Sequence, residues 1–212
     1  MLGANDGVVS TAALVLGVGA ADTATSTVLT AGMAGLVAGA ASMALGEYVS
    51  VSAQRDAERA DIAKERHELA TTPERELDEL TQIYRHKGLS PELARQVAVE
   101  LSKGDVLEVH LREELGISTD ELARPTQAAV TSSIAFALGA AVRLIAIALT
   151  TAASRTWATF VASLVVLAVL GATGARLGGA APARPTWRVV LGGAVAMAVT
   201  MVIGRAYGAA VA

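Results

Sequence analysis

The chain contains no cysteine, so disulfides and thiolate metal ligands are excluded, and any bound metal must use carboxylate, imidazole, thioether or carbonyl groups. Aromatic residues make up only 3% of it, which leaves a thin aromatic belt for a membrane protein. No basic stripe runs along it, which argues against a nucleic-acid partner. It also lacks a P-loop, a dinucleotide fingerprint and any Ser-His-Asp or Cys-His pattern, so the reading is not an enzyme. Acidic residues are scarce outside one stretch: 17 of the 20 Asp and Glu, and all three His (His67, His86 and His110), fall within residues 54–124.

What remains is strongly apolar. Hydrophobic residues make up 53% and the mean hydropathy is +0.49, too high for an ordinary soluble domain of this length. The expected fold is all-α: a polytopic membrane protein with five transmembrane helices and a cytosolic helical metal-binding domain inserted between helices 2 and 3. Spans are expected at about 2–21, 28–52, 126–151, 157–175 and 187–207; the first, at about 20 residues and ~1.5 Å per residue, just crosses a ~30 Å hydrocarbon layer. The domains are then 1–53 (helices 1 and 2), 54–124 (the acidic block) and 125–212 (helices 3 to 5). Arg176, Arg184 and Arg188, against Arg155 alone in the opposite loop, place the block on the cytoplasmic side of a multi-pass protein of the cell's inner (plasma) membrane.

Abundant Gly and Ala predict close helix packing, with a GxxxG at Gly35 and Gly39. Asp6 falls in or at the mouth of the first span. It is either an intramembrane functional group or, with Asn5, a cap at the water interface. Met43 and Glu47 are four apart and share a helix face, offering a soft and a hard ligand one turn from each other. Arg143, inside the third span, is expected to reach an interface or an acidic partner, and Arg143→Pro to keep folding.

Within the block, the second span is expected to run on unbroken into water. Thr72-Pro73 and Ser90-Pro91 each restart a helix, with Thr72 and Ser90 as N-caps, and Ser118 to Glu121 reads as a capping box before the third span. Leu77, Leu80, Ile83 and Tyr84, and then Leu93, Val97 and Leu101, keep the spacing of amphipathic helices that fold together. Glu65 and Glu68 are three apart, as are Glu76 and Glu79, and Glu114 ends a further helix. Converging carboxylates repel unless a cation joins them, and with one imidazole from His67 or His110 they suit Fe2+, Mn2+ or Zn2+. Spacing alone equally allows a solvated face of Glu and Arg pairs.

Five stretches carry a resemblance: GANDGVVSTAALVLGV, AGLVAGAASMALGEYVSVSAQRD, ELDELTQIYRHKGLS, VLEVHLREELGI and RPTQAAVTSSIAFALGA. In that order they make the chain similar to bacterial members of the vacuolar iron transporter family over essentially its whole length. The resemblance implies a homodimer of five-helix subunits in the lipid bilayer. It would move Fe2+ or Mn2+ out of the cytosol in exchange for protons, between the first two helices at the dimer interface. No permanent cofactor is implied; the metal is substrate, with Zn2+ and Co2+ as further candidates. The capture carboxylates fall on Glu65, Glu68, Glu76, Glu79 and Glu114, and the membrane ligands on Asp6 and Met43.

The chain also departs from the family. Gly35 stands where relatives carry a Glu two turns before the span-two Met, so Glu47 becomes a candidate for that role. His110 and Leu111 replace a Met pair, which makes His110 a candidate ligand. Arg143 replaces a Pro. The alternative function is a membrane-tethered metal-binding storage or sensor protein without transport, in which Asp6 and Met43 would be dispensable.

Overall fold

A computed structural model of the chain describes residues 2–20, 24–119, 122–150 and 152–211. Among these every regular element is helical: α1 (Leu2–Ala20), α2 (Thr25–Thr71), α3 (Pro73–His86), α4 (Pro91–Leu101), α5 (Val106–His110), a π-helical turn (Leu111–Leu115), α6 (Pro125–Ala148), α7 (Ala152–Leu177) and α8 (Ala183–Val211). The chain divides into two compact units, Met1–Tyr48 with Thr126–Ala212, and Val49–Pro125.

In the first unit, four helices of the described residues are long and apolar enough to cross a membrane: α2, α6, most of α7 and α8. Five are expected from the sequence. Helix α1, at 19 residues, is not among the four, and it carries Asn5 and Asp6 within its first two turns. Because α1 begins at Leu2, Asn5 and Asp6 lie inside the helix rather than flanking it as caps.

Small residues set how α1 packs. A Cβ on Gly3 would strike the Ser132 carbonyl and one on Gly7 the Phe136 carbonyl, while Gly139 is pressed against Ala4 and Val8. Residue numbers rise together along the two contact lines, so α1 and α6 run parallel with their backbones touching. Gly193 faces Val9 and Gly204 meets the Gly17 backbone, which makes α8 parallel to α1 as well. Helix α7 runs the other way, since Gly171 meets Thr186 while Leu167 meets Gly193. Apolar clusters fill the remaining space: Ala12, Leu16 and Met197 with Phe160, and Val15, Val28 and Ile147 with Leu144.

The second unit begins on α2, which continues through Thr71 without a break, as the uninterrupted charge-rich sequence leads one to expect. Pro73 and Pro91 open α3 and α4 at the first helical position, where the missing N–H is no loss. Ser90 caps α4, accepting from the Leu93 N–H at 3.3 Å. Thr72 does not cap α3 with its side chain; its hydroxyl donates back to the Glu68 carbonyl at 3.1 Å. The expected capping box falls partly on Asp120 and Glu121, outside the described residues.

The unit's core is Leu80, Ala98 and Val109, with Leu77, Tyr84 and Leu101 around it. On α4 the buried stripe is Ala94 and Ala98, and Leu93, expected inside, is exposed. Alanines on that face let α3 and α4 approach closely, and the larger Leu93 points outward.

Candidate metal centre

Three elements of the second unit deliver ligand-type side chains to one buried point. Helix α2 supplies Glu65, α3 supplies Glu76, and α5 ends on His110. One ligand atom from each lies within 4.8 Å of the others, and all three residues are buried. Glu65 is only 2% exposed and His110 fully enclosed, so solvent does not offset their polarity.

The contacts inside the cluster leave lone pairs unused. His110 Nδ1 approaches Glu65 Oε1 at 3.0 Å and Glu114 Oε2 at 3.8 Å, yet both imidazole nitrogens and both of those oxygens lack an aligned hydrogen bond. Buried polar atoms without partners are uncommon, and each calls for an explanation. A cation at their centre supplies one: carboxylates and a neutral imidazole are the donor set that borderline divalent metals take.

A π-helical turn runs from Leu111 to Leu115, and Gly116 (φ +66°) ends it in the left-handed region. His110 and Glu114, four apart, share one helix face, with Glu114 Oε2 at 3.8 Å from His110 Nδ1.

Electrostatics fit the same picture. Burial first, then the Glu114, Glu76, Glu68 and Glu79 carboxylates, push Glu65 up to about 7. Burial also raises Glu114, with Glu79 and Glu76 adding to it and Lys64 opposing. His110 is lowered by burial against the pull of Glu76 and Glu79, so the ring is neutral with a lone pair to give. The other four predicted carboxylates thus all lie within electrostatic reach of Glu65. Glu68 also holds an ion pair with the exposed Lys64 at 3.0 Å. Of the two histidines left open by the sequence, His110 is in the cluster; His67 is exposed, as is His86.

The first unit has a separate polar feature. Asp6, Ser10, Thr11 and Leu14 of α1, Gly35, Gly39, Ser42 and Met43 of α2, and Phe136 of α6 line a cleft of about 200 Å³. Asp6 and Met43 thus share one cavity, and Glu47 is not part of its lining. Gly35 leaves its space to Leu14, whose Cδ2 would collide with any Cβ placed there. Ser10, Thr11, Ser42 and Phe136 did not emerge from the sequence. Ser10 follows Asp6 by four residues and Ser42 follows Gly39 by three, and that helical spacing is the signal that could have found these two.

Arg143 is buried in α6 and donates through Nη1 to the Val8 carbonyl of α1. The expected interface or acidic partner gives way to a backbone acceptor. The close backbone approach of α1 and α6 brings that carbonyl to Nη1, while Nε and Nη2 have no hydrogen-bond partner among the described residues.

A model of the VIT family matches residues 1–205. The chain is 42% identical over 208 residues to a vacuolar iron transporter of Acanthamoeba castellanii, covering 96% of this chain and 76% of the relative. It is 38% identical over 213 residues to vacuolar iron transporter homolog 1 of Oryza sativa subsp. japonica, covering 98% and 72%. To vacuolar iron transporter homolog 2.1 of Arabidopsis thaliana it is 36% identical over 211 residues, covering 99% and 80%.

Proposed function

The chain belongs to the VIT family, and from that membership we propose that this metal ion transporter carries Fe2+ or Mn2+ out of the cytosol in exchange for protons. The buried convergence of Glu65, Glu76 and His110, with unpartnered ligand atoms, carries the reading, because a divalent cation is the ligand that satisfies those atoms together. Glu68, Glu79 and Glu114 complete the capture site around them. The relatives are named for iron; Mn2+, Zn2+ and Co2+ share the donor preferences of this set.

Passage is assigned to the cleft between α1 and α2, where Asp6 offers a carboxylate and Met43 a thioether, with Ser10 and Ser42 as neutral oxygens beside them. Glu47, one turn beyond Met43, is assigned to the end of that path. Helix α1 acts as the fifth span. Its support is its packing, parallel to α6 and α8 and opposite to α7, which is the alternation that five consecutive crossings produce. Two subunits pair into a homodimer through the exposed apolar face of α2 that carries Met33, Val37 and Leu45. The protein resides in the inner (plasma) membrane with residues 54–124 in the cytosol, and the proton gradient drives the exchange.

The Asp6–Met43 cleft weighs against the tethered storage or sensor reading, which has no use for ligands among apolar helices. Reconstitution into proteoliposomes with an imposed pH gradient tests the proposal. Uptake of Fe2+, Mn2+, Zn2+ and Co2+ is scored beside proton counterflow; metal flux with opposite proton movement is expected, and no flux of any of the four metals would remove transport.

A further inference from the structure

The last 91 residues of the sequence contain no Asp or Glu, yet carry Arg124, Arg143, Arg155, Arg176, Arg184, Arg188 and Arg205. Arg176 lies in the last turn of α7, where a cation complements the free carbonyls. Arg184 and Arg188 lie in the first turns of α8, the end of a helix that disfavours cations, and neither forms an ion pair among the described residues. They flank the exposed Trp187 and with it and Ala183 line a groove. Below that groove the exposed residues Leu191, Val195 and Val199 continue from Trp187 at four-residue steps, a stripe of apolar surface on one face of the helix.

We propose that this groove binds the headgroup of an anionic phospholipid, with Arg184 and Arg188 on the phosphate, Trp187 at the glycerol level and an acyl chain along Leu191, Val195 and Val199. Each feature answers one part of such a ligand. The two guanidiniums, four residues apart on the first turns of α8, give charge-assisted donors to phosphate oxygens. An exposed indole at the start of an apolar helix suits the boundary between headgroup and hydrocarbon. The unopposed positive charge makes the site selective for acidic over zwitterionic lipid, and none of these residues belongs to the proposed metal path.

Fluorescence quenching by brominated lipid tests the site in the full-length protein. Trp157→Phe leaves Trp187 as the only indole. In vesicles mixing phosphatidylcholine and phosphatidylglycerol, brominated phosphatidylglycerol should quench Trp187 with an apparent affinity about tenfold above that of brominated phosphatidylcholine, and raised salt should shrink the difference. Arg184→Gln with Arg188→Gln should abolish the preference, while Arg184→Lys with Arg188→Lys retains most of it, which separates loss of charge from loss of folding. Equal quenching by the two lipids, or a preference that survives the double Gln variant, overturns the proposal. Displacement of the brominated lipid by inorganic phosphate alone would also overturn it, assigning the groove to free phosphate.

Discussion

His110 Nδ1 lies 3.0 Å from Glu65 Oε1 in a site sealed from solvent, and neither atom is satisfied as a hydrogen-bond partner of the other. The pair is poor as an internal contact and good as two corners of a coordination shell, since a metal accepts the lone pairs that the two groups direct at each other. Opposite consequences for the metal-free and metal-loaded protein follow from this.

Replacing His110 with Leu should raise the stability of the metal-free protein by about 1 kcal/mol, because an apolar side chain of similar volume ends the cost of two orphaned ring nitrogens. The same change should remove most of the thermal stabilisation that Mn2+ or Co2+ gives the wild type. Melting curves with and without metal check both signs. A variant less stable in both conditions would make His110 a packing residue rather than a ligand.

Burial and its four carboxylate neighbours raise Glu65 to about 7, above its ordinary 4.5, and that sets two pH dependences. The folded, metal-free state keeps a proton on Glu65 that the unfolded chain has already lost. The stability tied to that proton is therefore fully present below about 4.5 and lost as pH climbs through about 7. Metal binding must displace the proton, so affinity should rise steeply between about pH 6 and 8 and flatten above it. Calorimetric titration of Co2+ at several pH values reads the affinity. A flat profile over that range would remove Glu65 from the ligand set.

The two serine and threonine caps expected from sequence should separate on mutation. Ser90→Ala should cost about 1 kcal/mol, since Ser90 accepts from the Leu93 amide. Thr72→Ala should cost less than half of that, because the Thr72 hydroxyl gives its bond to Glu68 and leaves the α3 amides to other partners. Denaturant melts of the two variants make the comparison.

Those caps illustrate what a sequence can disclose. Pro73 and Pro91 fix helix starts through chemistry confined to neighbouring residues, and the paired glutamates share faces by helical period alone. Leu93 failed as a core residue because α3 and α4 meet at Ala94 and Ala98, a choice made by the tertiary approach rather than by the hydrophobicity of one helix. His67 and His110 were equivalent on paper, and only the packing of α5, whose Val109 joins the core, turns one of them inward. On α1, the Gly3 and Gly7 spacing matches the motif noted at Gly35 and Gly39, but its partner, Phe136 and Ser132 of α6, lies more than a hundred residues away.

Arg143 should respond to substitution through its bond to Val8. Arg143→Lys keeps a donor on a long stem and should preserve expression and melting temperature. Arg143→Pro removes the donor and breaks an intrahelical bond inside α6, costing about 3 kcal/mol or more, contrary to the tolerance the family's proline suggested. Thermal melts in detergent decide this; an Arg143→Pro protein as stable as the wild type would mean that α6 bends to accept the ring and that the Val8 contact contributes little.

Capture and passage should fail differently, because the carboxylates of the acidic block and Asp6 belong to separate sites. Glu65→Ala with Glu68→Ala removes two of the proposed capture ligands and leaves the Asp6–Met43 cleft untouched. Flux through that variant should drop severalfold at low Mn2+ and recover toward wild type as metal becomes abundant, a rise in KM with kcat largely kept. Asp6→Asn preserves the shape of the cleft but takes away the charge that offsets the desolvation of a divalent cation. Among apolar helices that loss should stop transport at every metal concentration. Metal binding by the cluster at Glu65, Glu76 and His110 should stay intact in the same Asp6→Asn protein, measured by calorimetry beside the vesicle assay. The two readouts together discriminate the proposals: wild-type flux in Asp6→Asn would exclude the cleft as the path, and loss of binding in it would mean that one site, rather than two, holds the metal.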